Sequence, residues 1–167
     1  MGNVLLGRCR GRRRFGHVTA EGRADGARRC IQHPDGARRV RGDRGNGIEY
    51  GMMQAIAEGF EIMHASEYGL DLARVADVYQ NGSVIESRLI GWLESAFEEF
   101  GQDLGGVGGA VRHTGEGAWT VDASKEIGVP ARIIEGALQF RVESERDPSY
   151  AGQVLSVLRN QFGGHAL

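Results

Sequence analysis

Little in this sequence could be cross-linked, pinned by a metal or inserted into a bilayer. Cysteine occurs twice, at Cys9 and Cys30. Two cysteines form neither a disulfide framework nor a zinc pattern, and a reducing, cytoplasmic setting is the default expectation. No apolar run approaches the roughly 18 residues that a membrane-spanning helix needs. The segment "NVLLG" is too short, and wrongly flanked, to be a signal-peptide core. Period-2 alternation of apolar and polar residues is lacking, so no strand of useful length is expected. Lysine is nearly missing as well: Lys125 stands alone beside nineteen arginines.

What is present is unevenly divided. The chain has 167 residues, enough for one domain with a core. Residues 1–45 carry 12 Arg against 4 acids, a balance of +8, whereas residues 46–167 carry 7 Arg, 1 Lys and 18 acids, a balance of −10. Such asymmetry suggests a basic arm on an acidic domain. In residues 1–45, Arg, Gly and Ala dominate and the apolar residues follow neither helical nor strand periodicity. That segment cannot bury enough surface to offset its ordering entropy and is expected to be unstructured.

From residue 46 a helical pattern sets in. A first helix is expected over about 46–64, with Ile48, Met52, Ile56 and Met63 on one stripe and Phe60 beside it. Asp71 is placed to cap a second helix carrying Leu72, Val75, Ala76 and Tyr79 at i, i+3, i+4, i+7. After an "NGS" turn, a third helix carries Ile85, Leu89, Trp92, Leu93, Ala96, Phe97 and Phe100 and ends at Gly101. Residues 101–117 read as a glycine-rich, flexible connector. A short helix is expected over Val121–Ile127. A fifth runs about 130–145 from Pro130, with Ile133, Ile134, Ala137 and Leu138 inward. A last helix covers about 149–161, with Val154, Leu155 and Leu158 inward. The fold class is therefore all-α, with five or six helices.

Four motifs could carry chemistry. "GGVGGA" (105–110) follows a helix rather than a strand and lacks the GxGxxG spacing, so it is not read as a nucleotide cradle. "NGIEYG" (46–51) puts Asn46, Glu49 and Tyr50 on one helix face. The structural reading is an Asn N-cap with Glu at the third position, a capping box. The functional reading draws on the tyrosine and the glycines at 47 and 51. Interior helix glycines cost about 1 kcal/mol each, which suggests that something approaches this backbone closely. "TGEGAWT" (114–120) reads as a polar turn before a tryptophan. In "LRNQFGGHAL" (158–167), Arg159 and His165 flank a helix end, where such residues commonly serve the helix dipole. Arg141 adjoins the apolar stripe of the fifth helix and by itself could be a snorkelling surface arginine.

Taken in chain order, "NGIEYGMMQAIAEGFEIM", "TGEGAWT", "ALQFR" and "LRNQFGGHA" resemble the C-terminal helical domain of decarboxylating 6-phosphogluconate dehydrogenases, above all their shorter bacterial branch. The resemblance covers residues 46–167. It implies a cytoplasmic pentose phosphate pathway oxidoreductase: 6-phosphogluconate is oxidised at C3 with reduction of NADP or NAD, CO2 is lost, and an enediol is protonated to give ribulose 5-phosphate. It also implies roles: Glu49 as the catalytic acid, Asn46 and Tyr50 as substrate-binding residues with Tyr50 near the phosphate, and Arg141 on that phosphate. Arg159 and His165 would be tail residues reaching a neighbouring subunit's site, so a homo-oligomer, dimer or tetramer, is implied.

Departures from the family pattern are specific. The family reads lysine-x-x-histidine-asparagine where this chain reads "GDRGN", so Gly42 stands in place of the base and Gly45 in place of the histidine. The family's nucleotide-binding domain, with its own glycine fingerprint, has no counterpart in residues 1–45, and no cofactor or metal is expected to bind this chain. A fragment inactive by itself is the expectation. Arg-, Gly- and Ala-rich, lysine-free sequence is also what a GC-rich gene yields out of frame, with the true frame resuming near Asn46. Resequencing the DNA tests that. The rival function is a small helical dimerising protein whose basic arm engages nucleic acid through salt-dependent phosphate contacts. Against it, the arm lacks interleaved aromatics and any recognition motif.

Overall fold

The computed structural model describes residues 37–113 and 115–167. It divides the chain into Met1–Arg41 and a compact unit, Gly42–Leu167, and the account below concerns the latter. The proposed basic arm lies largely outside the described residues. Six helices are present among them: α1 (Ala37–His64), α2 (Leu72–Gln80), α3 (Arg88–Phe100), α4 (Glu116–Glu126), α5 (Arg132–Ser144) and α6 (Tyr150–Gly163). The all-α expectation holds. None of the helices is long and apolar enough to cross a membrane.

Local chemistry sets most of the boundaries. Asp71 caps α2 by accepting from the Arg74 amide, Ser87 caps α3 through Ile90, and Ser149 caps α6 through Gly152. Gly101 (φ 73°) and Gly164 (φ 62°) end α3 and α6 in backbone conformations that favour glycine. Two expected starts are corrected. The first helix begins at Ala37 rather than near 46: Ala and Arg are good helix formers, and no proline stands between Ala37 and Asn46 to interrupt the turn. Asn46 therefore lies within the helix and caps nothing, which removes the capping-box reading. The fourth helix begins at Glu116, five residues before the expected Val121, with Gly115 (φ 91°) as its N-cap.

The core joins Met53, Ala57 and Phe60 of α1 to Leu72, Leu93, Phe97, Leu155 and Leu158 of α2, α3 and α6. The expected stripe on α1 is corrected in part. Ile48 and Met52 are exposed, Ile56 and Met63 are partly buried, and Tyr50, Met53, Gln54, Ala57 and Phe60 face inward. Ile85 and Ile133, also expected inside, are exposed. The glycine-rich segment is no loose connector. Leu104, Val107 and Val111 are buried. Gln153 donates to the Leu104 and Val107 carbonyls, Ser156 donates to the Gly108 carbonyl, and the Ser144 hydroxyl accepts from the Val111 amide. The segment is thereby stitched to α6 and to the end of α5.

Gly152 permits that stitching. A Cβ there would collide with the Gly109 carbonyl oxygen. The collision is with backbone, which cannot swing aside. Gly136, on the exposed side of α5, has nothing within 4 Å of its would-be Cβ. The two glycines should therefore respond oppositely to the same change. Gly152→Ala is expected to destabilise the fold by about 3 kcal/mol, and Gly136→Ala to stabilise it by about 1 kcal/mol. Urea midpoints at unchanged m-value measure both.

Candidate functional site

Helix α1 presents Asn46, Glu49 and Tyr50 on adjoining turns of one face. Helix α4 crosses this face at very short range. A Cβ on Gly47 would lie 2.5 Å from Cγ2 of Thr120, and one on Gly117 would overlap Cε1 of the Tyr50 ring. Helix α5 closes from another side, where a Cβ on Gly51 would lie 3.2 Å from Cγ2 of Ile133. The expectation that the glycines at 47 and 51 admit a close neighbour is met by two different helices.

From α5, Arg141 reaches back across α1. It is 2% exposed, so it is no snorkelling surface residue. Its guanidinium carbon lies 3.4 Å from the centroid of the Tyr50 ring, a stacked cation–π contact that gains about 2 kcal/mol when desolvated. One Nη donates to Sδ of Met53 at 3.8 Å. Two buried polar atoms in this stack have no partner: the Tyr50 hydroxyl oxygen and Nε of Arg141. Unpaired buried polar groups cost roughly 1–3 kcal/mol each, and an exception of this kind calls for an explanation such as strain, a chemical role or a bound water or ion.

The electrostatics are those of a half-buried charge cluster. Burial pushes the Glu49 carboxyl above its ordinary value, the Arg141 charge pulls it back, and the Glu116 carboxylate adds to the rise. Burial lowers the proton affinity of Arg141, the neighbouring Arg159 charge lowers it further, and Tyr50 and Glu49 counter this. Arg159, partly buried, is lowered by burial and supported by Tyr50. Both arginines remain cations at neutral pH, as guanidinium groups do in proteins. Two cations, one acid and one phenol with an open hydroxyl suit a small anion that also carries an acceptor for a proton.

The structure thus brings together Glu49, Tyr50 and Arg141, with Arg159 within electrostatic reach of Tyr50 and Arg141. Asn46 stands one turn before Tyr50 on α1 and is partly buried. His165 lies past the αL cap of α6, its ring edge-on to Phe162 at 6.4 Å and against Gly163, with its carbonyl accepting from Asn160. The sequence reading missed Met53, the sulfur that holds Arg141, and gave Gly117 no role of its own. The signal for Gly117 was available, in a glycine next to an aromatic-bearing motif. For Met53 there was none, because a methionine in an apolar helix reads as core.

Among the described residues there is no strand and hence no strand–turn–helix unit of the dinucleotide-binding kind. No group of three or more potential metal ligands occurs among the described residues either.

Comparison with known proteins bears on this cluster. The family described as "6-phosphogluconate dehydrogenase, C-terminal domain" matches residues 45–161. The chain is 43% identical over 121 residues to the "Putative 6-phosphogluconate dehydrogenase YqeC" of Bacillus subtilis (strain 168), covering 72% of this chain and 40% of that protein. It is 42% identical over 120 residues to the "6-phosphogluconate dehydrogenase, NAD(+)-dependent, decarboxylating" of Haloferax volcanii, covering 72% and 40%. Against the "6-phosphogluconate dehydrogenase, decarboxylating" of Synechococcus elongatus the figures are 32% over 123 residues, 66% and 26%. The chain thus spans less than half the length of the curated relatives it matches. With six helices, a matched span of 45–161 and the Tyr50–Arg141 stack inside that span, this chain belongs to the family of the 6-phosphogluconate dehydrogenase C-terminal domain.

Proposed function

We propose that this chain is the substrate-binding helical part of a 6-phosphogluconate dehydrogenase of the shorter type, and that by itself it binds the phosphorylated sugar acid without oxidising it. The observation that carries the reading is the buried Tyr50–Arg141 stack with its two unpartnered polar atoms. The shorter type is supported by the lengths: the same stretch fills 40% of the two most similar relatives named above and 26% of the cyanobacterial one.

In this reading the phosphate takes the Tyr50 hydroxyl and the two arginines, whose charge-assisted contacts suit a dianion. Asn46 binds the sugar-acid chain, and His165 completes the site from the tail. Glu49 is the acid that delivers a proton to the enediol carbon. A carboxyl raised by burial holds its proton closer to neutral pH, which a general acid needs. The base is the weak point. Gly42 and Gly45 stand where the family has lysine and histidine, and glycine can neither accept the C3 hydroxyl proton nor orient it. In this reading the hydride passes to NAD or NADP, and no residue described here is assigned to that step. Assembly as a homo-oligomer belongs to the same reading.

Binding is checked by melting the chain with 6-phosphogluconate and with gluconate. At a hundredfold excess over Kd the former should stabilise by about 2.7 kcal/mol, and the latter, lacking the phosphate, by much less. Equal shifts would remove the phosphate site from the proposal. Tyr50→Phe separates stability from function. Deleting a buried, unpartnered hydroxyl should stabilise the free chain by about 1 kcal/mol, while the ligand-induced shift collapses.

Glu49 gives a pH test. Its folded value lies above the ordinary 4.5, so the folded state holds the proton more tightly than the unfolded one. The resulting penalty is absent below the unfolded value, grows as pH rises through the window up to the folded value, and is then constant. Glu49→Gln lacks it. The variant should melt above the parent at pH 7, with the difference vanishing as pH falls below 4.5. A difference that persists at pH 4 would show that something other than the carboxylate charge is responsible.

A further inference from the structure

We infer that Met53 is a positioning residue: its thioether sulfur fixes how the Arg141 guanidinium lies on the Tyr50 ring and leaves that cation's charge available to an anion. The role toward the anion rests on the reading that the Tyr50 site takes a phosphate monoester. The sulfur contact itself does not.

A planar cation stacked on a ring keeps one freedom. The stack, 3.4 Å from the guanidinium carbon to the ring centroid, fixes the distance but lets the group spin about the axis through the ring. A contact at its edge removes that spin. Met53 supplies one, because its Sδ accepts from an Arg141 Nη at 3.8 Å, from a helix 88 residues away in sequence. Tyr50 and Met53 are three apart on α1, so a single turn presents both the face contact and the edge contact. Methionine is a flexible side chain, and its sulfur can serve as a fixed point only where the packing around it is closed. That condition is met. Met53 is 0% exposed and shares a core cluster with Leu93, Leu155 and Leu158.

The kind of acceptor matters as much as its place. A carboxylate would hold the guanidinium through a stronger, charge-assisted bond, and would neutralise it. A thioether is a weak and uncharged acceptor. No ion pair among the described residues involves Arg141, and its buried Nε has no partner. Arg141 is therefore held at one edge by a neutral atom, with its charge and one donor uncommitted. An incoming phosphate dianion can take it without displacing a resident carboxylate. Core packing by itself does not call for sulfur here, since leucine has a similar volume.

Nuclear magnetic resonance of the arginine side chains in the whole chain tests this, with the Arg141 signals assigned by their loss in Arg141→Lys. In the parent, the Arg141 Nη protons should give separate signals shielded by the Tyr50 ring, because rotation of the group is blocked. A single averaged signal would overturn the inference. Met53→Leu should keep the melting temperature within a few degrees of the parent, merge those signals, and weaken 6-phosphogluconate binding roughly fivefold by titration calorimetry. Met53→Gln, which returns an uncharged acceptor of similar reach, should recover both. A Met53→Leu chain with parental signals and parental affinity would show that the sulfur is packing alone, and the inference would be wrong. Should that variant fail to fold, the separate or averaged Nη signals of the parent still decide. A parent with separate Nη signals but no binding heat would bring down the phosphate reading and leave the sulfur contact standing.

Discussion

A guanidinium lying flat on a buried phenol ring sets the terms for the rest of this domain. A buried cation is tolerable only when its surroundings replace water. Here the replacements are the face of Tyr50, the sulfur of Met53 and the nearby charge of Glu49. Each makes its own demand. For Tyr50 to be covered, α4 must come close enough for Gly117 to touch the ring, and for α4 to come that close, Gly47 must leave room for Thr120. For Arg141 to reach the ring, α5 must settle on α1, which Gly51 allows beside Ile133. Two of these glycines lie inside α1, where each costs about 1 kcal/mol in helix propensity. The stack and the three-helix approach offset that cost together, so none of these glycines has a separate explanation.

The second constraint is the seam between the glycine-rich segment and α6. Gly109 and Gly152 meet backbone to backbone, and the side chains of Gln153 and Ser156 satisfy carbonyls that would otherwise be buried without partners. This seam fixes α6 along its length and hence the position of Arg159 at its far end. The placement of α6 at one edge of the domain is thus inherited from a segment at another, through side-chain-to-carbonyl hydrogen bonds and the Gly109–Gly152 contact.

Much of the architecture was legible in the sequence where local rules decide. The Asp71 cap, the stripe of α3, its stop at Gly101 and the buried face of α6 follow from capping chemistry and period 3.6. The misses share a cause. On α1, hydrophobicity pointed to Ile48 and Met52, but the domain buries the polar-tipped Tyr50 and Gln54 and leaves those two exposed. Periodicity ranks side chains by their affinity for water and cannot register that a site needs a phenol inside. The start of α4 was hidden for a related reason. Its first residues, Gly115, Glu116 and Gly117, resemble a turn, and only the Tyr50 ring explains the need for a glycine in the first helical turn. The glycine-rich segment looked flexible because a single sequence does not reveal a backbone partner 43 residues away, and Gly109 acquires its role only once Gly152 is placed. Among candidate site residues, Glu49, Tyr50 and Arg141 converge in space, with Arg159 within electrostatic reach, although they come from three helices. That convergence was legible only through family resemblance, since i, i+4 spacing links residues of one helix and no others.

The arrangement also separates binding from chemistry along the chain. In the proposed reading the groups that hold the phosphate and release the proton lie between Asn46 and His165, within the compact unit. Glu49 shows how far this self-sufficiency goes. Its proton affinity is set by a contest in which burial and Glu116 favour the neutral acid and Arg141 favours the carboxylate, with burial the largest influence. The two charged neighbours, Glu116 and Arg141, stand on α4 and α5 of the same unit. Proton abstraction is different. In the proposed reading it needs an acceptor on the turn of α1 before Asn46, where this chain offers Gly42 and Gly45. No rearrangement of the packed domain can supply that group, because a glycine has no side chain to move.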